Sequence, residues 1–215
     1  MAISQDKVQE LLDLIKKLNE KVEAIKNEKI DIKLKDDNTP VTKADLLVND
    51  ELIKFIKTTQ YTKIISEENR QLDFSERTNW EWYWVVDPID GTKEFIKKGE
   101  DYTINIALCH KERPVFSVVS RPSNGDIYYA IKDKGAFKNN KRIYSDGNQK
   151  VIKVIASKTH LNSMTENFIN NLSKSINFET LNVGSSLKIC FISEGLAQIY
   201  PRFGTTMEWD TAAAD

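Results

Sequence analysis

With 215 residues, 40% of them hydrophobic, the chain can build one domain or two small ones around a genuine apolar core. Its 31 Lys and Arg nearly balance 32 Asp and Glu, for a formal net charge of -1, so no global basic field draws it to a nucleic acid polymer and an anionic ligand needs a local site. The start Met1-Ala2-Ile3-Ser4 carries no basic stretch ahead of an apolar one, and no segment approaches the roughly 20 apolar residues of a membrane span, so a cytoplasmic protein without a transmembrane segment is expected.

In chain order, Val8, Leu11, Leu12, Ile15, Leu18, Val22 and Ile25 recur at helical spacing and predict an amphipathic helix over about 5–27, too short for a coiled coil. The polar stretch 33–40 reads as a loop or hairpin tip. Thr42-Lys43-Ala44-Asp45 opens a helix running to about Lys57, in the pattern of a capping box with aspartate in the third position. Lys63-Ile64-Ile65 is a short buried strand that runs into Ser66-Glu67-Glu68.

The most informative stretch follows. The apolar run Trp84-Val85-Val86 ends in Asp87-Pro88-Ile89-Asp90-Gly91-Thr92. Pro88 fixes its own φ and has no N–H for a ladder, and Gly91 permits a conformation or a close approach that a side chain would block, so the backbone must turn here. Two carboxylates forced together repel unless a cation lies between them, and hard oxygen ligands suit Mg²⁺. An EF-hand is excluded, because its acids alternate within a helix–loop–helix frame, whereas Asp87 and Asp90 flank a proline.

Beyond it, 102–108 and 114–119 read as strands joined by a charged turn, with 125–130 and 135–137 continuing a meander. A buried strand over 151–156, a helix over 164–172, a helix over 185–194 after Gly184 and a late strand over 197–200 complete the series. Strands crowd the middle and helices flank it, which predicts an α+β layered domain. Cys109 and Cys190 sit singly in apolar runs and read as buried thiols. His110 and His160 leave little material for a zinc centre, so carboxylates must supply any metal site.

Glu67, Asp87, Asp90 and Asp210 all lie at ends of elements. If those ends converge, the cluster can hold two or more Mg²⁺ ions and drive phosphoryl transfer to a metal-activated water without a covalent nucleophile. Plainer readings stand beside this one. Asp210 could be an N-cap, Asp45 the capping-box partner of Thr42, and Glu67 and Glu68 first-turn acids. Gly184-Ser185-Ser186 could be a helix cap only, and Lys35 a loop lysine or a screen for the site's charge. The residues alone leave these pairs open.

Asp87-Pro88-Ile89-Asp90-Gly91-Thr92, with Ser66-Glu67-Glu68 upstream and Trp209-Asp210-Thr211-Ala212-Ala213 downstream, resembles the lithium-sensitive, magnesium-dependent phosphatases of the inositol monophosphatase superfamily. Residues 38–45, 91–96, 183–188 and 200–204 are similar to its bacterial CysQ branch, whose members remove the 3′-phosphate of 3′-phosphoadenosine 5′-phosphate. The resemblance implies the layered αβαβα sandwich of the sugar phosphatases, with residues 1–150 an N-terminal α+β half carrying most metal ligands and 151–215 a C-terminal α/β half. Members continue beyond the Trp209 motif, so the C-terminal segment is expected to be missing from a chain that stops at Asp215.

The resemblance also implies the roles. Glu67, Asp87 and the carbonyl of Ile89 would hold one Mg²⁺, Asp87, Asp90 and Asp210 a second, and a third ion would sit near Glu67. Thr92, positioned by Asp45, would orient and help deprotonate the attacking water, with Glu67 completing the catalytic set. The N–H groups of Gly91 and Thr92 would receive the scissile phosphate, and Gly184, Ser185, Ser186, Lys188 and Arg202 the rest of a bisphosphate nucleotide. The expected function is a cytoplasmic or peripheral inner-membrane 3′(2′),5′-bisphosphate nucleotidase. The alternatives are an inositol or fructose-1,6-bisphosphate phosphatase and a non-catalytic metal- or nucleotide-binding module. No pattern in the chain sets an oligomeric state.

Overall fold

The computed structural model describes residues 3–28, 30–35, 37–70, 72–145, 151–157 and 162–215. The expected division at residue 150 and His160 lie outside the described residues.

Helix α1 (Gln5–Asn27) starts where Ser4 Oγ accepts the Lys7 N–H at 3.3 Å, and it buries Val8, Leu11, Leu12, Ile15, Leu18, Val22 and Ile25 along one face. Strands β1 (Ile32–Leu34) and β2 (Pro40–Thr42) form an antiparallel hairpin whose tip carries Lys35. Helix α2 (Lys43–Lys57) leaves this hairpin directly through the expected capping box.

A mixed sheet of seven strands in sequential order forms the centre: β3 (Ile64–Ser66), β4 (Trp82–Asp90), β5 (Thr103–His110), β6 (Arg113–Arg121), β7 (Asp126–Ile131), β8 (Gly135–Lys138) and β9 (Lys141–Ile143). β3 runs parallel to β4 and every later neighbour is antiparallel. The short helices α3 (Phe74–Arg77) and α4 (Thr92–Ile96) precede and follow β4. Because both faces of the sheet are covered, β4 reads as a near-continuous apolar run. Trp84 and Val86 point to one face and pack with Ile104, Ile106, Phe116 and Val118 against α1 and α2. Val85, Ala107, Cys109 and Val119 point to the other.

That second face carries the C-terminal elements. β10 (Ile152–Ser157), α5 (Ser163–Leu172) and β11 (Phe178–Val183) make a strand–helix–strand unit with parallel strands, followed by α6 (Leu187–Ser193) and α7 (Glu208–Thr211). Val183, Leu187, Cys190, Trp209 and Ala213 pack on the sheet face, so α6 and α7 are fixed against β4 and its neighbours. The expected mixed sheet with flanking helices is the fold observed.

Three expectations change in detail. The late strand over 197–200 shrinks to one bridge, Val154 with Ile199, because Gln198 and Ile199 both donate to the Lys153 carbonyl and Pro201 has no N–H to extend a ladder. The helix expected from 185 starts at Leu187, since Ser185 takes a positive φ of 49°. β11 went unseen because Glu179, Thr180 and Asn182 make it polar and largely exposed, without the apolar run of a buried strand.

Candidate active site

β4 delivers the first two acids through an irregular end. Asp87 stands opposite Asn105 and Asp90 opposite Thr103, so three steps on β4 face two on β5. This bulge turns Asp90 toward the cleft while Ile89 stays 1% exposed in the core. Glu67 follows β3, its N–H donating to the Val86 carbonyl at 3.2 Å, which sets it beside Asp87. Asp210 is the third residue of α7 and its Oδ2 accepts the Met207 N–H at 3.0 Å. It therefore caps its helix from inside the first turn and is not the N-cap residue. Buried Trp209 holds that turn against the sheet.

Oxygens of Asp87, Asp90 and Asp210 all lie within 4.8 Å of one another. Asp87 is 1% exposed, and its Oδ1 has no hydrogen-bond partner. Its carboxyl is pushed well above the usual carboxylate range, first by burial and then by the charges of Asp90 and Glu67. Burial also raises Asp90, against Lys188 and a hydrogen bond from Ser186 that pull it down, and raises Asp210. A buried acid with an orphaned oxygen beside two half-buried acids fits a divalent cation with oxygen ligands.

Two of the paired readings resolve together at Asp45. Its Oδ2 accepts the Thr42 N–H at 2.7 Å, as a capping box requires, and also the Thr42 hydroxyl at 2.6 Å, while Oδ1 lies 3.2 Å from Thr92 Oγ. One carboxylate thus starts α2 and reaches α4. The Thr92 hydroxyl has one proton to share between Asp45 and the Ile89 carbonyl, 3.0 Å away. Burial raises the Asp45 pKa, and the hydrogen bonds from Thr42 and Thr92 oppose that.

Glu67 and Glu68 sit in a turn, not in the first turn of a helix. Lys35 reaches both from the hairpin tip, at 2.9 Å to Glu67 and 2.6 Å to Glu68. Burial depresses Lys35, but the bonds to Glu68 and Glu67 outweigh it and its pKa ends up raised. Glu67 lies outside the Asp87–Asp90–Asp210 triad although it lines the same cleft.

The other side of the cleft is the turn before α6. Ser186 makes no cap bond with its side chain; its hydroxyl lies 2.8 Å from Asp90 Oδ2 and 2.9 Å from the Asp210 carbonyl. Lys188 is 8% exposed, and burial lowers its pKa. Its Nζ donates to the Ser185 carbonyl at 2.5 Å and lies 5.8 Å from the Tyr200 ring centre. Arg202, exposed at the rim, bonds Thr206 Oγ at 3.1 Å and the Thr205 carbonyl at 3.1 Å. The cleft of about 1110 Å³ brings together Glu67, Asp87, Ile89, Asp90, Gly91, Thr92, Gly184, Ser185, Ser186, Lys188, Arg202 and Asp210, and Asp45 stands behind Thr92.

Sequence reasoning missed Asn105 and Asp101. Asn105 Nδ2 donates to Ser186 Oγ at 2.9 Å, while its buried Oδ1 has no partner. The available signal was an amide between Ile104 and Ile106 in the otherwise apolar run 104–109. Asp101, 7% exposed and ahead of β5, accepts the Gly184 N–H at 3.1 Å. Nothing in its sequence neighbourhood marked it.

Comparison with known proteins gives the arrangement its context. The chain is 38% identical over 188 residues to the 3′(2′),5′-bisphosphate nucleotidase CysQ of Salmonella typhimurium, spanning 83% of this chain and 72% of that one. CysQ from Bacteroides thetaiotaomicron superposes with a TM-score of 0.81 at 35% identity, covering 93% of this chain and 80% of that one. An IMPase/NADP phosphatase solved with Mg²⁺ and phosphate shares the fold, with a TM-score of 0.82 at 22% identity over 97% of this chain and 78% of its own. The description of the inositol monophosphatase family matches residues 4–215, nearly the full length over which the strands, turns and acids above are laid out, and the chain belongs to that family of metal-dependent phosphatases.

Proposed function

We propose that the chain hydrolyses the 3′-phosphate of 3′-phosphoadenosine 5′-phosphate to AMP and inorganic phosphate, as a Mg²⁺-dependent 3′(2′),5′-bisphosphate nucleotidase of the cytoplasm. The observation that carries the reading is the triad of Asp87, Asp90 and Asp210 with its orphaned Asp87 oxygen, facing a buried lysine across one cleft. The identity to CysQ nucleotidases supports this substrate over an inositol phosphate.

In this reading Glu67, Asp87 and the Ile89 carbonyl hold one ion, Asp87, Asp90 and Asp210 a second, and Glu67 contributes to a third. Bound Mg²⁺ lowers the pKa of a coordinated water and neutralises charge on the phosphoryl group. The half 1–150 brings the Thr92–Asp45 pair, which orients that water and accepts its proton; a carboxylate whose pKa is raised by burial suits the task. The N–H groups of Gly91 and Thr92 take the scissile phosphate. The half 151–215 brings Asp210 and the subsite for the second phosphate: the Gly184 turn, with Ser185, Ser186, Lys188 and Arg202 supplying the donors.

The test is phosphate release from 3′-phosphoadenosine 5′-phosphate with Mg²⁺, with and without Li⁺, beside inositol 1-phosphate. Selective release that Li⁺ suppresses and Asp90→Asn lowers by at least about 10³-fold is expected, the scale of losing charge stabilisation at a reacting phosphate. Faster turnover of inositol 1-phosphate would replace the substrate assignment. Binding without turnover would point to the non-catalytic module.

A further inference from the structure

Asp101 lies between the two turns that form the walls of the cleft. A Cβ placed on Gly91 would meet the Asp101 carbonyl oxygen at 3.0 Å, and Gly91 holds φ at +93°. A Cβ placed on Gly184 would meet the Asp101 Cβ at 2.8 Å and the same carbonyl oxygen at 3.0 Å. Both turns are therefore glycine because both close on one residue. Asp101 Oδ2 accepts the Gly184 N–H, and Oδ1 pairs with Arg121 Nη2 at 3.2 Å. Arg121, at the end of β6, also donates from Nε to the Glu100 carbonyl at 3.2 Å, and Ser123 Oγ donates to that carbonyl at 2.8 Å. Tyr102, fully buried, packs edge-on against Phe95 of α4. Asp101 is thus paired with Arg121, and its neighbours Glu100 and Tyr102 are anchored on either side of it.

An acid lining a cleft that is read as taking phosphates has to be accounted for. Its charge is spent on Arg121 and on a backbone N–H, so it meets no ligand as a free anion. We propose that Asp101, braced by Arg121, is a positioning residue that fixes the spacing between the Gly91 and Gly184 turns and so makes the site select substrates bearing two phosphates. The inference rests on the reading above, in which one turn takes the scissile phosphate and the other, with Lys188, takes the second. Ser185 is held in a left-handed conformation, and its carbonyl receives Lys188 Nζ. Releasing Gly184 from Asp101 frees that strained turn and with it the lysine. Ser186 keeps anchors of its own in Asn105 and in its 3% exposed setting, so the metal-side contacts persist.

The experiment measures kcat and KM for 3′-phosphoadenosine 5′-phosphate and for adenosine 3′-monophosphate with Mg²⁺, in the wild type, Asp101→Ala, Asp101→Asn and Arg121→Gln. Asp101→Ala is expected to raise KM for the bisphosphate about tenfold, the scale of one hydrogen bond to a charged group. Its kcat stays within about threefold on either substrate, and KM for the monophosphate stays near wild type. Asp101→Asn keeps an acceptor for the Gly184 N–H and is expected to restore most of the preference, with Arg121→Gln between the two. Circular dichroism melts identify any variant that fails to fold, and the Asn and Gln variants then decide. Equal effects on both substrates, or a loss in kcat at unchanged KM, would overturn the positioning role. A wild type without preference for the bisphosphate would instead sink the substrate assignment, and the inference with it.

Discussion

At the scale of single residues, the metal role proposed for the acidic triad implies a cost in stability when no ion is bound. Asp87 is buried, lacks a partner for one oxygen and faces two further acids, so its carboxyl stays protonated to higher pH than in the unfolded chain. A folded-state pKa raised above the unfolded value contributes stability that is present below about pH 4 and is lost as pH rises through the raised pKa. Asp87→Asn should therefore stabilise the metal-free protein, by on the order of 1–3 kcal/mol at pH 8 and by much less at pH 4. Urea titrations at the two pH values in EDTA check it, and a gain independent of pH would refute the electrostatic account. The same protonation predicts that Mg²⁺ uptake releases protons and tightens as pH rises. Calorimetry in buffers of different ionisation enthalpy would detect the protons.

At the scale of elements, the two roles of Asp45 make the start of α2 part of the site. Thr42→Ala removes a cap worth about 1–2 kcal/mol and one of the bonds that aim Asp45 at Thr92. The expected result is modest destabilisation with a disproportionate fall in kcat. Leu52→Ala, in the same helix but within the core, should cost about 2–5 kcal/mol and leave the Mg²⁺ dependence of turnover unchanged. Paired melts and kinetics of the two variants separate these outcomes. The elements were legible where a local rule dominates. The apolar spacing of α1 and the capping box of α2 are properties of adjacent residues, and so is the proline-broken end of β4. β11 escaped because it pairs on one side with β10 and shows solvent its polar side chains, leaving no apolar signature. The start of α6 escaped because Ser185 takes a left-handed conformation in a turn whose Gly184 N–H is tied to distant Asp101, a contact that lies outside the local sequence.

At the scale of the whole molecule, Asp210 lies more than a hundred residues along the chain from the other acids, and only the fold brings them together. Glu67, Asp87, Asp90 and Asp210 could each be marked at the end of an element from local sequence, but the packing of α7 on the second sheet face is what sets Asp210 beside Asp87 and Asp90. The contacts that aim the site, such as Asn105 to Ser186 and Asp101 to Gly184, span about eighty residues, so no window of sequence contains both partners even where one of them, the amide of Asn105, stands out in its own strand. Because the native state alone assembles the triad, Mg²⁺ at a hundred times its dissociation constant should stabilise the protein by about 2.7 kcal/mol. For a chain of this size that is a rise of about 5–10 °C in Tm, reversed by EDTA and absent in Asp90→Asn. The sheet order also has a kinetic consequence. β5 to β9 are joined by short connections and pair with their sequence neighbours, so they close small loops, whereas joining Asp210 to Asp87 closes a loop of more than a hundred residues. The hairpin ladder should be in place early in refolding and metal competence should arrive last. Trp209, beside Asp210, can report that final docking by fluorescence, so the time at which a refolding chain first takes up Mg²⁺ marks the moment it has become native.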